Sequence, residues 1–234
     1  GWGALGANVL GSKSVAVGTG CLDASNPASA TDMHNTAIGH GAGGAATTGR
    51  FNNFMGSQAA DNLTTGSSNV AIGYEALTND TQGSNAVAVG DQALSNQNLT
   101  SAGDSYNTGV GALAGKGCTT GVQNTFIGAL AGGDSTQTGD NNVTVGYAAG
   151  FNLTSGSNNI LIGKQSGRSG SPSGQIDTES NTVCLGDDNI SDLFCADSSI
   201  STSDSRDKID ITDFSIGLNW IKDLRPVTYK WDKR

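Results

Sequence analysis

Residues 69–73 read Asn-Val-Ala-Ile-Gly, and the same order of residue types returns at residues 124–128 as Asn-Thr-Phe-Ile-Gly. Both stretches belong to a pattern in which a glycine follows a short apolar segment. The glycines of this pattern are Gly1, Gly18, Gly39, Gly56, Gly73, Gly90, Gly111, Gly128, Gly146, Gly163 and Gly186. Most successive glycines are separated by seventeen positions, as Gly56 and Gly73 are, and three intervals are four to six positions longer. A fixed period of this kind indicates a repeat architecture.

Each repeat is predicted to contain a short strand followed by a corner. An aliphatic residue precedes the glycine, and in most repeats an Asn stands four residues before it. Side chains of alternating character between them are typical of a β-strand. The glycine permits a sharp corner at positive φ or the close approach of another backbone. Ala76-Leu77 is predicted to begin a second short strand, and the polar residues 79–83 are predicted to return the chain to its start.

The composition excludes several classes of protein. The chain has 234 residues, of which 35 are Gly, 6% are aromatic and 14% are charged. This disfavours a conventional globular enzyme with one deep hydrophobic centre. No apolar run approaches the ~20 residues that span a bilayer. A net charge of −9 argues against a nucleic-acid partner. We therefore expect neither nucleic-acid binding nor membrane insertion.

The repeats are expected to stack. A chain this rich in Gly, Ser, Asn and Thr would ordinarily be interpreted as a linker, but a linker has no reason to keep a fixed period. Each repeat is too thin to bury its own apolar face, so stability must come from coil stacked on coil. Asn at a fixed position is expected to form a hydrogen-bonded ladder. The predicted fold is all-β: a parallel β-roll or β-solenoid of about ten 17-residue coils.

Small residues two positions before the repeat glycine suggest self-association. They are Ala16, Ala37, Ala71, Ala88 and Gly109. We interpret them as a wall of the roll that lets another chain approach closely. Identical rolls packed around an axis would bury this wall, and cyclic homo-oligomers are the usual way to do so. We therefore expect a homotrimer whose rolls run parallel to one axis.

The three longer repeats are the expected places for contact with a receptor. Regular coils use their residues for stacking, whereas the insertions at residues 21–31, 96–105 and 167–177 can project outward. Receptor binding at these insertions is a hypothesis.

No cofactor or metal ion is expected. Residues 39–44 imitate a glycine-rich dinucleotide loop, but their glycines and Ala42 fall on repeat positions. Asp187-Asp188-Asn189 offers oxygen ligands for a cation, with an exposed polar loop as the simpler interpretation. The four cysteines have no metal-ligand spacing. We expect four small buried thiols, and a local Cys184–Cys195 bridge is the alternative.

The repeat resembles the left-handed parallel β-roll heads of trimeric autotransporter adhesins and the similar rolls of viral and phage fibres. Their repeat also reads Asn-x-Ala-Ile-Gly-x-x-Ala. The resemblance covers residues 1 to about 190 and implies a trimeric roll with an adhesive role. The period of the present chain departs from the shorter repeat of the adhesin heads.

A change of composition marks a domain boundary near Ser203. Residues 1–203 hold 5 basic and 15 acidic residues, whereas residues 204–234 hold 7 basic and 6 acidic residues. Thr212 or Asp213 is predicted to cap a short helix that ends before Pro226, and residues 227–231 are predicted to form a strand. We divide the chain into a β-roll shaft at 1–195, a linker at 196–203 and a short α/β segment at 204–234.

This last segment resembles the beginning of the intramolecular chaperone domain of phage tailspikes, endosialidases and related fibres. That family opens with Ser-Asp-x-Arg-x-Lys, an Ile-rich stretch, a short helix, Leu-x-Pro-Val and an aromatic strand. The matching residues are Ser203, Asp204, Arg206, Lys208, Leu224, Pro226, Val227, Tyr229 and Trp231.

The resemblance implies a chaperone that helps the trimer fold and then cuts itself off by a Ser–Lys mechanism. Ser203 would be the nucleophile and Lys208 its base, because a serine hydroxyl needs a nearby base to attack. Asp204 and Arg206 would support the cleavage motif, Arg206 by placing positive charge beside the base. The alternative is that Ser203 and Asp204 only cap a turn.

Taken together, these features predict a structural and adhesive trimeric fibre on a virion surface. It would support host attachment and mature by chaperone-assisted trimerisation and self-cleavage, without activity on an external substrate. The expected partners are copies of itself, other virion proteins and a host-cell surface receptor, with a glycan as one candidate. The alternative is the head domain of a bacterial trimeric adhesin on the cell surface, although autotransporters continue into a coiled coil and a membrane anchor.

Overall fold

The computed structural model describes residues 1–99 and 101–194. These residues form fourteen short strands and no helix. The strands are β1 (Gly11–Ser12), β2 (Val15–Val17), β3 (Thr31–Asp32), β4 (Thr36–Ile38), β5 (Asn53–Met55), β6 (Val70–Ile72), β7 (Gly83–Ser84), β8 (Val87–Val89), β9 (Gly103–Asp104), β10 (Thr108–Val110), β11 (Thr125–Ile127), β12 (Val143–Val145), β13 (Ile160–Ile162) and β14 (Val183–Leu185). The helix and the strand predicted beyond Ser203 lie outside the described residues.

Ten three-residue strands form one parallel sheet. Its order, β14-β13-β12-β11-β10-β8-β6-β5-β4-β2, follows the order of the repeats along the chain. Equivalent positions pair with each other, as Ala71 does with Ala88. The remaining strands form two small parallel pairs, β1 with β3 and β7 with β9, at the points where the first two long repeats rejoin the stack. The predicted all-β parallel solenoid is confirmed.

The repeat glycine serves both of the purposes that the sequence suggested. Gly73 has a φ of 137°, in a region that side-chain-bearing residues rarely adopt. A Cβ at Gly73 would also overlap the carbonyl oxygen of Gly90 in the next coil. The backbones of successive coils therefore touch along the column of repeat glycines.

The predicted second strand at Ala76-Leu77 is wrong. This stretch is a succession of turns, in which Glu75 and Leu77 have φ values of 51° and 57°. The Ala76 N–H donates to the Gly73 carbonyl, and the Leu77 N–H donates to the Ala93 carbonyl of the next coil. Ala76 and Leu77 are both fully buried. An extended strand would point them to opposite faces, so a left-handed residue is needed to turn both inward.

The small residues two positions before the glycine do not form an outer wall, which corrects that prediction. Ala37, Ala71 and Ala88 are fully buried inside the coil. They pack with leucines such as Leu77 and Leu94 in one hydrophobic core cluster.

Larger residues at this inward position occur beside glycines. Phe54 and Phe126 are buried there. A Cβ on Gly43 would overlap the Phe54 ring, and a Cβ on Gly115 or Gly132 would overlap the Phe126 ring. At these two positions the core therefore holds a phenylalanine with a glycine, where Ala71 and Ala88 pack with leucines.

The predicted Asn ladder is confirmed, and each rung joins a side chain to the backbone of the following coil. The Asn52 Oδ1 accepts the Asn69 N–H at 2.9 Å, and the Asn52 Nδ2 donates to the Gly66 carbonyl at 2.9 Å. The same pair of bonds is made by Asn35, Asn69, Asn107, Asn124, Asn142 and Asn159. These asparagines are buried, and their amides satisfy backbone groups that would otherwise lack partners.

Candidate functional site

The outer face of the ten-stranded sheet carries a continuous row of mostly aliphatic side chains. It consists of the first and third residues of each three-residue strand, and we call it the aliphatic strip. The first residues are Val15, Thr36, Asn53, Val70, Val87, Thr108, Thr125, Val143, Ile160 and Val183. The third residues are Val17, Ile38, Met55, Ile72, Val89, Val110, Ile127, Val145, Ile162 and Leu185.

The aliphatic strip is large and open to solvent. Val17, Ile127 and Leu185 are 55%, 41% and 47% exposed. Ten strands at ~4.8 Å give the strip a length of about 48 Å. Apolar patches of this extent are uncommon on monomeric proteins and mark sites of interaction.

The strip carries no Asp, Glu, Lys, Arg or His in any of the ten strands. Its polar residues are all first residues of their strands, which we call the first-residue column. They form two pairs on neighbouring strands, here called steps: Thr36 with Asn53, and Thr108 with Thr125. Beside the first step lies a hollow of about 320 Å³, lined by Thr36, Asn53, Phe54, Met55, Val70 and Ile72. The strip is therefore an uncharged apolar surface with a few polar positions at defined heights.

Reasoning from the sequence assigned the wrong side of the strand to the outside. The general preference of apolar residues for the interior favoured burying Val and Ile. The alternation of side chains along a strand predicts the correct orientation. The Asn four positions before the glycine and the small residue two positions before it lie on the same face of the strand. An Asn ladder inside the coil places that face inward and leaves the aliphatic residues outside.

The first two insertions have buried bases and exposed tips. Cys21 and Leu22 are fully buried, whereas residues 28–30 are exposed. In the second insertion Leu99 is 8% exposed, and residues 101–104 are exposed. Both tips are accessible to a partner, as expected for projecting insertions. Thr100 lies outside the described residues.

The third insertion forms one side of a polar depression of about 190 Å³. Gln165, Arg168, Ser169, Gly170, Asp187 and Asp188 line it. The Arg168 guanidinium lies over the Phe151 ring, 4.8 Å from its centre. The Lys164 Nζ lies 3.9 Å from an Asp187 oxygen. The Asn189 backbone N–H donates to Asp187 and lowers the pKa of that carboxyl below its usual value.

This depression presents hydrogen-bonding groups of positive charge, from Arg168, and of negative charge, from Asp187 and Asp188. Ile176, from the same insertion, is 2% exposed and packs with Leu161 and Cys184, so the insertion is anchored. Asp187 and Asp188 are each bonded by Asn189, which gives the triplet local partners. Within residues 1–99 and 101–194 no group of three or more His, Cys, Asp or Glu side chains could hold a metal ion.

The cysteines of the described chain are buried and free. They are Cys21, Cys118 and Cys184, as predicted, while Cys195 lies outside the described residues. Burial raises the pKa of the Cys118 thiol to about 12, with the charges of Asp140 and Asp80 adding to it. Burial also acts to raise the pKa of Cys184, but hydrogen bonds from neighbouring serines outweigh it and lower this pKa to about 7.

The residues predicted to cut the chain are Ser203, Asp204, Arg206 and Lys208. All four lie outside the described residues, so their arrangement stays a prediction. In the part of the chain that is described, no helix is long and apolar enough to cross a membrane.

Comparison with known proteins finds a family match at the C-terminal end of the chain. Residues 203–234 match the family described as chaperone of endosialidase. No curated protein and no solved structure matches the chain. A β-solenoid followed by this segment fits a protein of the phage tail-fibre or endosialidase type with chaperone-assisted maturation.

Proposed function

We propose that this chain is the shaft of a trimeric virion fibre that supports attachment to a host cell. The observation that carries the proposal is the aliphatic strip, followed along the chain by a chaperone-type segment. Three copies would pack their strips around a common axis and remove them from water.

Burial of the strip supplies the driving force for this assembly. Fully burying a Val or Ile side chain is worth about 1.5–3 kcal/mol, and the strip offers partly exposed Val or Ile at most of its positions. A second copy has a strip of the same length and spacing, so parallel copies can match over all ten strands. The net charge of −9 does not oppose the contact directly, because the strip itself is uncharged.

The assembly is tested by molar mass. Light scattering of the chain should give three times the 23.5 kDa of one protomer. Ile72→Asp places a carboxylate on the strip and should yield single chains. Tyr74→Asp is the matched control, because Tyr74 is 46% exposed beside the strip rather than on it, and it should leave the mass unchanged. A folded parent of single-chain mass would contradict the proposed trimer.

Maturation by self-cleavage belongs to the same proposal. Ser203 would attack the chain with Lys208 as base once the trimer has formed, which would lock the shaft kinetically after the chaperone leaves. Expression of the complete gene product with Ser203→Ala or Lys208→Ala should trap an uncut trimer. Fragment masses equal to those of the parent in both variants would refute this pair of residues.

Host attachment is proposed to use the polar depression at the third insertion. Its guanidinium, amide and carboxylate groups can bind a polyhydroxylated ligand such as a surface glycan. Arg168→Ala with Asp188→Ala should reduce binding to host cells at least tenfold while the trimer persists. Ser29→Ala in the tip of the first insertion is the control. Unchanged cell binding in the double variant would assign the receptor to another part of the fibre.

A further inference from the structure

The aliphatic strip poses a problem of alignment between copies. Its spacing repeats at every coil, so two strips displaced by one coil would still place aliphatic side chains against aliphatic side chains. Apolar burial therefore distinguishes poorly between an aligned trimer and a displaced one. Only positions that break the repeat can distinguish them.

Asn53 is such a position. It is the only residue of the strip with a side-chain amide, and it is exposed between Thr36 and Val70 in the first-residue column. Its side chain makes no hydrogen bond to any other residue of the described chain. The hollow beside it leaves room at this height for groups from another chain. An unpaired amide in an apolar surface is costly once that surface is covered, unless the covering chain supplies partners.

A second copy of this chain supplies those partners only when it is aligned. In a parallel trimer around one axis, like residues stand at the same height, so three Asn53 amides meet, each with a donor and an acceptor. Displacement by one coil places each amide against Thr36 or Val70 of its neighbours. A single buried Asn is known to set alignment and copy number in packed helices at a cost in stability.

We propose that Asn53 sets the axial alignment of the three chains, an inference that rests on the trimer proposed above. The partner is a second and third copy of this chain, and Asn53 is the specificity-determining residue of that contact. The Thr108 and Thr125 step discriminates less, because a threonine presents a methyl group as well as a hydroxyl.

The first test places a charge at this position. Asn53→Asp leaves the isolated chain unstrained, because the side chain is exposed there, but would bring three carboxylates together in the trimer. At pH 8 we expect the dissociation constant of the trimer to rise at least 100-fold. Asn62→Asp, on an exposed turn away from the strip, is the matched control and should behave as the parent. A trimer that is equally stable with Asn53→Asp would overturn the inference.

The second test measures alignment itself. Val87→Cys lies in the same column as Asn53, two strands away, so its three thiols should come within disulfide range in an aligned trimer. Oxidation should then form a disulfide between two of the three chains. The parent protein, which lacks Val87→Cys, is the control for disulfides formed by other cysteines. Adding Asn53→Val should keep the mass of three chains but lower the linked fraction at least twofold, whereas adding Asn62→Val should not.

Each outcome separates the two proposals. A parent of single-chain mass refutes the trimer. A trimer in which Val87→Cys does not link, or links equally with Asn53→Val, refutes the role of Asn53 and leaves the trimer standing. Circular dichroism identical to that of the parent verifies that each variant is folded before its mass is interpreted.

Discussion

Individual residues hold the coil in shape by adopting backbone angles that most proteins avoid. In every regular coil a positive φ occurs at the repeat glycine, at two and four residues after it, and at five residues before it, as Gly73, Glu75, Leu77 and Ser68 illustrate. Left-handed conformations cost ordinary residues roughly 1–2 kcal/mol each. Leu77 and Glu75 offset this cost through hydrogen bonds to the neighbouring coils.

The repeat glycine is the residue least open to substitution. Gly73→Ala should lower the free energy of unfolding by at least about 3 kcal/mol, because the added methyl group meets the next coil's backbone at a φ of 137°. Gly20→Ala is the matched control: Gly20 also has a positive φ, 67°, but its Cβ would have nothing within 4 Å. It should cost only about 1 kcal/mol. Urea denaturation at one fixed chain concentration measures both, and equal losses would contradict the stacking argument.

The sequence predicted the glycine corner but not the left-handed Leu77. A glycine that recurs at a fixed position of the repeat indicates unusual backbone angles, since glycine alone adopts them without strain. A leucine carries no such signal, and its local preference favours a helix or a strand. Its conformation follows from a tertiary requirement, the burial of both Ala76 and Leu77, which only the stacked coil imposes.

At the scale of one coil, the Asn rung connects the strand to the turn of the following coil. Asn69→Ala would leave the Ala86 N–H and the Gly83 carbonyl buried without their partners. Each such group costs roughly 1–3 kcal/mol, so we expect a loss of about 2–4 kcal/mol in the free energy of unfolding.

The matched control for that rung is Asn62→Ala, since Asn62 is exposed on a turn. Its loss should stay within about 0.5 kcal/mol. Both values come from denaturant titration at the same chain concentration. A loss for Asn69→Ala as small as that of the control would mean that water or backbone movement replaces the rung.

The pairing of large and small residues inside the coil was visible in the sequence only in retrospect. Phe54 and Phe126 occupy the position that alanine holds in β2, β4, β6 and β8, and Gly43 and Gly115 occupy the position that leucine holds in coils such as that of Leu77. The two members of each pair come from successive coils, so no local pattern joins them. Which positions face each other inside the coil depends on the conformation of the stretch after the repeat glycine. The facing pairs can be deduced only once that stretch is known to be a turn and not a strand.

At the scale of the whole molecule, the solenoid should tolerate the loss of one complete repeat. Removing residues 57–73 joins Gly56 to Tyr74 and keeps the remaining strands, rungs and repeat glycines in line, because stacked repeats contact only their neighbours. Phe54→Ala must accompany the deletion, since Leu77 would otherwise pack against the phenylalanine ring. We expect a cooperative thermal transition at a lower temperature than that of the parent.

The control for this deletion removes residues 57–72, again with Phe54→Ala. Gly73 then follows Gly56 directly, so the extra residue stands at the corner and not in the turn, where the 18-residue repeat between Gly128 and Gly146 holds its own. Glu75 and Leu77 are thereby displaced from the left-handed positions two and four residues after the repeat glycine. Far-ultraviolet circular dichroism should show loss of the folded spectrum in this variant only. A folded product of the shorter deletion would contradict the requirement for left-handed residues at fixed positions after the repeat glycine.

The sequence predicted the stacking of the coils but not which residues form the outer surface. The recurring pattern predicted the stack of parallel strands, since equivalent positions of successive coils must superimpose when the coils stack. The aliphatic face of each strand points outward because the Asn rungs lie inside the coil. The sequence pattern alone does not show that an Asn side chain is close enough to bond the backbone of the next coil. The predicted outer wall of small residues is therefore wrong, and its alanines face the core.

The Asn rungs have a direction, and this has a consequence for synthesis. The Asn35 side chain accepts the N–H of Asn52 and donates to the Gly49 carbonyl, so each rung reaches from a completed coil to the coil made after it. A ribosome releases the chain in that same order. Every coil that has emerged offers the next one a preformed template, and the growing polypeptide can lengthen its folded part by one turn for each repeat that is translated.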